Sequence, residues 1–154
     1  MVLKEKILIR EDNNGICNLI LNRPSAHNAL SFKLLSSIKD EINLIKEDKR
    51  IRVLIISANG PSFCSGHDLK EINSNKNRND YDKLFNLCSD VMLSLLKLNI
   101  PVIAKIHSTA TAAGCQLVAT CDLAIASTNA KFATPGVNIG LFCSSPMVAL
   151  SRNI

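Results

Sequence analysis

The first hydrophobic and polar positions of the chain predict a β-hairpin. Two β-rich runs, residues 6–10 and Ile16–Leu21, flank the polar turn Asn13-Asn14-Gly15. Asn-Gly pairs favour tight hairpin turns, because both residues tolerate positive φ. We therefore expect the fold to begin with two antiparallel strands.

Two later segments have the apolar spacing of amphipathic helices. The first follows Ser31, a residue type that caps helix N-termini, and the second follows a polar, asparagine-rich stretch at 73–80 that we interpret as a loop. Between them, Asp68 is placed to cap a short helix that begins at Leu69. The predicted buried faces are Leu34, Leu35, Ile38, Ile42 and Ile45 in the first helix, and Tyr81, Leu84, Phe85, Cys88, Val91, Met92, Leu95 and Leu96 in the second.

Short apolar runs between these segments predict strands at 53–57, 101–106 and Leu123–Ala126. A helix of small residues is expected at 111–119. Loops and the start of a further helix near Pro146 are expected from 131 to 154. Strands that alternate with helices favour an α/β fold whose strands run largely parallel after the first hairpin.

Composition indicates one domain and excludes several partner classes. The 154 residues carry 47% hydrophobic and 20% charged positions and a net charge of +5. The basic residues are scattered and aromatic residues are few, so we expect no nucleic-acid partner. No apolar stretch is long enough to span a membrane. A mildly basic surface is compatible with a phosphate-bearing small molecule.

The cysteines and histidines do not have the spacing of a metal site. None of the six cysteines forms a Cys-x-x-Cys pair, and His27, His67 and His107 stand at no ligand spacing to them. We expect buried free thiols in a reducing compartment and no bound metal. The first residues lack the apolar core of a secretory signal and do not form a convincing transit peptide.

The run Ala110-Thr-Ala-Ala-Gly-Cys-Gln116 is the most informative for chemistry. Small residues at the start of a helix leave backbone N–H groups that point outward and favour negative charge. Such donors stabilise the developing charge of an acyl carbonyl. The polar side chain at Gln116 is an amide, which neither takes nor gives a proton at neutral pH.

Three segments together resemble the enoyl-CoA hydratase/isomerase (crotonase) superfamily. They are Leu21-Asn-Arg-Pro-Ser-Ala-His-Asn-Ala-Leu30, Phe63-Cys-Ser-Gly-His-Asp-Leu-Lys-Glu71, and Ala112-Ala-Gly-Cys-Gln-Leu117 followed by Cys121-Asp122-Leu123. The resemblance covers nearly the whole chain. It implies a spiral of β-β-α turns, of which residues 1–154 would form the N-terminal core without the family's C-terminal helical part.

The resemblance also implies roles for particular residues. The backbone N–H groups of His67 and Ala113 would form an oxyanion hole for a coenzyme A thioester, bound as ligand without a separate cofactor. Small side chains at 112–114 would let the thioester approach the backbone. The residues expected to border coenzyme A are Ser25, Ala26, His67, Asp68, Leu69 and Lys70.

The departures from the family pattern concern the acids. Hydratases of this family carry glutamates at the positions of Gln116 and Gly136, and that pair handles the water in hydration. From Pro101 to the end of the sequence, Asp122 is the only acidic residue. We therefore expect no ordinary hydration. Restoring both acids, as Gln116→Glu with Gly136→Glu in a full-length protein, is predicted to give some crotonyl-CoA hydration.

Each candidate residue has a plainer interpretation. Gln116 either orients water or substrate or is a pocket-edge residue without a role, and His67 acts through its backbone more readily than as an imidazole base. Asp68 and Asp122 are interpreted as backbone caps, and Cys115 as a buried thiol. Lys70 is either a phosphate-binding or a solvated lysine, and Cys143, Ser144 and Ser145 form either part of the acyl pocket or a helix start.

Three functions remain open at this stage. The protein is an acyl-CoA-binding module of fatty-acid metabolism, an enzyme with altered acyl-CoA chemistry (weak hydratase, isomerase or thioesterase), or an inactive fragment whose exposed apolar surface needs a partner. The resemblance implies a trimer or hexamer for a full-length chain. It also implies a mitochondrial location, with a cytoplasmic one left open.

Overall fold

The computed structural model describes residues 6–74 and 77–153, and it begins with the predicted hairpin. Strands β1 (Leu8–Asn13) and β2 (Ile16–Leu21) pair antiparallel. Asn14 and Gly15 form the turn with φ of 50° and 83°. The first strand begins two residues later than the 6–10 run predicted, at Leu8.

The later strands lie parallel, as predicted. A five-stranded sheet has the order β1-β2-β3-β5-β7, where β3 is Val53–Ala58, β5 is Val102–Ile106 and β7 is Leu123–Ala126. A second sheet joins three short parallel strands, β4 (Ser62–Cys64), β6 (Thr109–Thr111) and β8 (Phe132–Ala133). The sequence did not predict this second sheet, because strands of two or three residues are too short to show a period.

The helices that cover the core follow the predicted pattern with corrections. Helix α1 (Phe32–Glu47) buries all five predicted residues, and the Ser31 hydroxyl accepts the N–H of Leu34 at 3.2 Å. Helix α2 (Leu69–Ser74) and helix α3 (Arg78–Leu96) extend into the stretch 73–80, so the loop predicted there is wrong apart from Asn77; residues 75 and 76 lie outside the described residues.

Two residues predicted for the buried face of α3 are exposed. Phe85 is 46% exposed and Leu96 is 59% exposed, whereas five of the predicted positions are buried. Both exposed residues lie at the margin of the apolar stripe. Helical periodicity alone does not determine how wide a stripe the neighbouring elements cover.

The small-residue helix begins later than predicted, whereas the last helix begins near Pro146, as predicted. Helix α4 (Ala113–Thr120) starts two residues after Thr111, because Thr111 belongs to β6 and pairs with Ala133 of β8. Helix α5 (Ser144–Asn153) begins before Pro146, and Ile154 lies outside the described residues. The apolar strand β7 is exposed at the edge of its sheet.

The predicted burial of the thiols holds for four of the six. Cys17, Cys64, Cys88 and Cys115 are buried, whereas Cys121 and Cys143 are half-buried, and all six are free. Within residues 6–74 and 77–153, no helix has the length and apolarity needed to cross a membrane. The same residues contain no group of three or more His, Cys, Asp or Glu placed to hold a metal ion.

Candidate functional site

One cavity of about 650 Å³ collects the four residues that the sequence predicts as oxyanion-hole donors or as acid positions. His67, Ala113, Gln116 and Gly136 all line it, although they come from four different parts of the chain. Much of the wall is apolar and comes from Leu69, Ile72, Phe85, Ile139, Leu141 and Phe142. An apolar cavity with a few converging polar groups is the usual form of a small-molecule site.

Ala113 presents its backbone N–H at the start of a helix. It is the first residue of α4, so its N–H has no partner within the helix. Ala112 precedes it with a φ of 49° and a ψ of −122°, a conformation that is strained for a residue with a β-carbon. The N–H of Ala112 donates to Ala133 at 2.9 Å and its carbonyl accepts from Gln116 at 3.2 Å, which holds the strained turn in place.

The backbone of His67 also turns toward the cavity. In its parallel bridge to Leu30, the Leu30 N–H donates to Gly66 at 2.8 Å and the Leu30 carbonyl accepts from Asp68 at 3.2 Å. Gly66 and Asp68 thus direct their bonding groups toward Leu30. Because His67 lies between them in an extended segment, its own N–H points away from Leu30.

Gly66 brings these two backbone segments together. Its φ is 91°, and a β-carbon on it would lie 2.9 Å from the Ala112 Cβ and 3.3 Å from the Ala113 nitrogen. The chain before His67 therefore runs directly beside the start of α4. Glycine is required at this position both by the positive φ and by the close approach.

Gly114 has a structural role that differs from the one expected. A β-carbon on it would lie 2.3 Å from the carbonyl oxygen of Cys64, so its hydrogen allows α4 to pack directly on β4. Ala112 and Ala113 line the cavity, whereas the side of Gly114 on which a β-carbon would stand faces β4. The structure therefore gives Gly114 a packing role, and the expectation that it lets a ligand approach the backbone stays a prediction.

The side chain of His67 is half-buried beside Phe85. The two rings meet edge to face, with 5.0 Å between their centroids. Burial lowers the pKa of the imidazole below its usual value, and the Leu30 carbonyl partly opposes this shift. Within the described part of the chain, its Nδ1 is buried and has no hydrogen-bond partner.

Gln116 carries a second buried polar atom without a partner. The residue is only 8% exposed, and its Oε1 has no hydrogen-bond partner among the described residues. An unpaired buried acceptor costs about 1–3 kcal/mol of stability. By contrast, the next polar residue on the helix, Thr120, donates its hydroxyl to the Gln116 carbonyl at 2.7 Å.

Gly136 lies in a tight turn rather than in open space. It belongs to a short 3-10 helix, Pro135–Ile139, that ends at Gly140 with a φ of 75°. The turn closes when the Leu141 N–H donates to the Gly136 carbonyl at 2.8 Å. A β-carbon on Gly136 would lie 2.7 Å from the Cys143 Sγ and 2.8 Å from the Leu141 carbonyl oxygen.

The residues expected to border coenzyme A lie mostly outside the cavity lining. Ser25 and Ala26 belong to a short 3-10 helix, and Lys70 is exposed on α2. Of that set, His67 and Leu69 are in the described lining, whereas Ser25, Ala26, Asp68 and Lys70 are not.

An ion pair joins the two segments that carry these residues. The Arg23 guanidinium donates to the Asp68 carboxylate at 2.9 Å. Asp68 also accepts from the backbone of Lys70 at 3.2 Å and of Glu71 at 3.3 Å, which confirms it as the cap of α2. Burial opposes ionisation of Asp68, but Arg23 and the capped N–H groups together hold its pKa below the usual value.

Two further sequence interpretations are confirmed. Asp122 accepts the backbone N–H of Val102 at 2.8 Å, which ties the start of β7 to β5. Cys115 is a buried thiol that donates to the Ala110 carbonyl at 3.0 Å, and burial raises its pKa.

Sequence reasoning missed the contribution of α3 to the cavity. Phe85, Cys88 and Ser89 all line it. Phe85 and Cys88 were assigned to the core, and nothing in their spacing separates a core position from a cavity wall. Their role depends on which element packs opposite to them.

Comparisons with known proteins place this chain and its fold in one family. A sequence profile described as enoyl-CoA hydratase/isomerase matches residues 11–154. The human enoyl-CoA hydratase domain-containing protein 3, mitochondrial, is 48% identical over 141 residues, which cover 92% of this chain and 46% of that protein. A crotonyl-CoA hydratase of Syntrophomonas wolfei is 33% identical over 135 residues, which cover 87% of this chain and 52% of that protein. The chain spans about half the length of the curated relatives it matches.

Solved structures show the same fold. The crystal structure of an enoyl-CoA hydratase from Mycobacterium smegmatis superposes with a TM-score of 0.94 at 50% identity, covering 97% of this chain and 59% of that one. The human domain-containing protein 3 superposes with a TM-score of 0.91 at 46% identity, covering 96% and 58%. These likenesses confirm the fold that the three sequence segments implied, and the chain belongs to the enoyl-CoA hydratase/isomerase (crotonase) family.

Proposed function

We propose that this protein binds acyl-CoA thioesters and polarises their carbonyl group without carrying out ordinary two-glutamate hydration. One observation supports this most strongly. The backbone N–H groups of His67 and Ala113 stand on segments that Gly66 holds side by side at a largely apolar cavity. Two N–H donors directed at one oxygen form an oxyanion hole, and each is worth about 3–4 kcal/mol in an enzyme.

Gln116 and Gly136 argue against hydration. Both line the cavity, and neither has a group that exchanges protons. The family resemblance implies that hydratases carry glutamates at these two positions. The amide of Gln116 would instead donate or accept a hydrogen bond with the bound group. An enzyme with altered acyl-CoA chemistry is the second candidate function, favoured by the His67 imidazole, which lines the same cavity and whose pKa is lowered by burial.

The coenzyme A part would lie along the two segments joined by Arg23 and Asp68. Ser25 and Ala26 would border it from one side, and Leu69 with Lys70 from the other. The exposed ammonium of Lys70 suits a phosphate group. The name of the human relative supports a mitochondrial location, and family membership supports a trimer or hexamer for the complete protein.

Binding and polarisation are tested separately on the complete protein. Calorimetry with butyryl-CoA should show binding that Lys70→Ala weakens and Lys49→Ala, an equal loss of charge at an exposed turn, does not. Infrared spectroscopy of butyryl-CoA labelled at the thioester carbonyl should show a lower C=O stretching frequency when bound. No binding at millimolar ligand would refute the proposal, and an unshifted frequency would refute the oxyanion hole.

A further inference from the structure

A thiol occupies the space into which a side chain at position 136 would point. The Cys143 Sγ lies 2.7 Å from the place of a β-carbon on Gly136, and both residues line the cavity. The family resemblance implies an acid at this position in hydratases, so a sulfur atom stands here where that side chain would begin.

Cys143 is the thiol of this region that is placed to react. It is half-buried. Cys88 also lines the cavity, but burial raises the pKa of its thiol to about 11, so it carries little thiolate at neutral pH. Cys115 is buried and bonded to the Ala110 carbonyl.

A second, independent observation in the same cavity points to a bound ligand. Gln116 is more than nine-tenths buried, lines the cavity, and has an Oε1 that no described residue satisfies. Buried polar groups are normally paired, so the missing partner is expected to come from a bound molecule or an ordered water. The Cys143 thiol and the Gln116 amide therefore line the same cavity and would both contact a molecule bound there.

We propose that Cys143 adds to the β-carbon of an α,β-unsaturated acyl-CoA thioester held in this cavity, an inference that rests on the function proposed above. A bond forms between Sγ and the β-carbon while the carbon–carbon π bond breaks and its electrons move toward the thioester oxygen. The N–H groups of His67 and Ala113 hold the resulting enolate oxygen.

The reaction is balanced without a further reactant. The thiol proton passes to solvent, and the α-carbon takes one proton from solvent as the enolate collapses. No group leaves, so coenzyme A stays attached and the product is a thioether. Cysteine is suited to this step, because a thiol is far more nucleophilic than water or an alcohol.

Intact-mass spectrometry of the complete protein with crotonyl-CoA tests the proposal. The expected result is a mass gain equal to the whole crotonyl-CoA molecule, mapped by peptide analysis to Cys143. Cys143→Ser should abolish the adduct, and Cys121→Ser, the matched change at the other half-buried thiol, which is not in the described lining, should leave it. Butyryl-CoA, which lacks the double bond, should bind without forming an adduct.

Other outcomes overturn the inference in distinguishable ways. A mass gain of the crotonyl group alone would mean acyl transfer with release of coenzyme A. An adduct on Cys88, or one that forms equally fast on the denatured chain, would mean that Cys143 is not selected by the site. Binding of butyryl-CoA without any crotonyl adduct would refute this step and leave the proposed function standing. If butyryl-CoA does not bind, the proposed function itself fails.

Discussion

Cys143 and Gly136 face each other across a closed turn, with the sulfur 2.7 Å from where a β-carbon on the glycine would lie. The Leu141 carbonyl oxygen lies 2.8 Å from the same point. The Leu141 N–H donates to the Gly136 carbonyl, so this stretch of backbone is held in place. A side chain at 136 must therefore displace the turn as well as the sulfur.

This relationship changes the expectation for restoring the two acids. Gln116→Glu with Gly136→Glu leaves the added side chain no room, so we expect hydration of crotonyl-CoA close to background. Adding Cys143→Ala removes one of the two obstructions, and the triple variant should hydrate faster than the double. The measurement is the loss of enoyl absorbance in the complete protein. Equal rates in the two variants would contradict this account.

Replacing Gln116 should separate stability from binding. Gln116→Met removes a buried acceptor without a partner at similar volume, so the free energy of unfolding should rise by about 1 kcal/mol, while butyryl-CoA binds more weakly. Thr120→Val, one turn further along α4, breaks a satisfied hydrogen bond and should lower stability by a similar amount. Urea unfolding and calorimetry measure both effects. Destabilisation by Gln116→Met would show that the amide has a structural role.

His67 should make stability depend on pH near neutrality. Its pKa is lowered by burial, so the unfolded chain binds the proton more readily than the folded chain does. Stability is therefore retained above the unfolded value of 6.5 and lost as the pH falls toward the folded value. His67→Gln should lose less stability than the wild type between about pH 7.5 and about pH 5 in urea unfolding. If the free energies of unfolding of the two proteins changed equally with pH, the burial of the ring would be contradicted.

The ion pair between Arg23 and Asp68 should stabilise the fold. Its side chains are only 21% and 14% exposed, so Arg23→Ala should lower the free energy of unfolding by about 1.5–3 kcal/mol. Arg78→Ala is the matched control, because its pair with Asp82 is 3.9 Å apart and largely exposed. Equal effects of the two changes in urea unfolding would refute the structural role of the pair.

Gly114 should tolerate no larger side chain. Gly114→Ala places a methyl group 2.3 Å from the backbone oxygen of Cys64, so we expect a loss of about 3 kcal/mol, since neither α4 nor β4 can yield locally. Gly140→Ala meets open space and should cost about 1–2 kcal/mol from its φ of 75° alone. Thermal and urea unfolding compare the two. A smaller loss at Gly114 than at Gly140 would contradict the packing of α4 on β4.

Several parts of the molecule could be predicted from sequence because their causes are local. The hairpin depends on Asn14 and Gly15, helix α1 on the Ser31 cap and an apolar stripe, and helix α2 on Asp68. Each signal lies within a few residues of the structure it specifies. The motifs around His67 and Gln116 likewise pointed to one family, and the comparisons confirm it.

Other parts depend on elements that are distant in sequence. Helix α4 starts at Ala113 and not at Thr111, because Thr111 pairs with Ala133 on another strand. Phe85 forms part of the cavity wall, because the segment around His67 lies against it. No local period carries such information. A strand of two or three residues is stable only where the fold places a neighbouring strand for it to pair with.

The sequence by itself therefore determined the hairpin, helix α1, the central strands and the family, and it leaves Asp122 as the only acidic residue after Pro101. Only the tertiary structure decided that Gly114 serves packing, that the Gln116 Oε1 is buried without a partner among the described residues, and that the Cys143 thiol stands beside Gly136. The physical reason is that helix and strand signals arise from neighbouring residues. Close approach and unmet hydrogen bonds, in contrast, arise between chain segments that meet only when the whole domain packs.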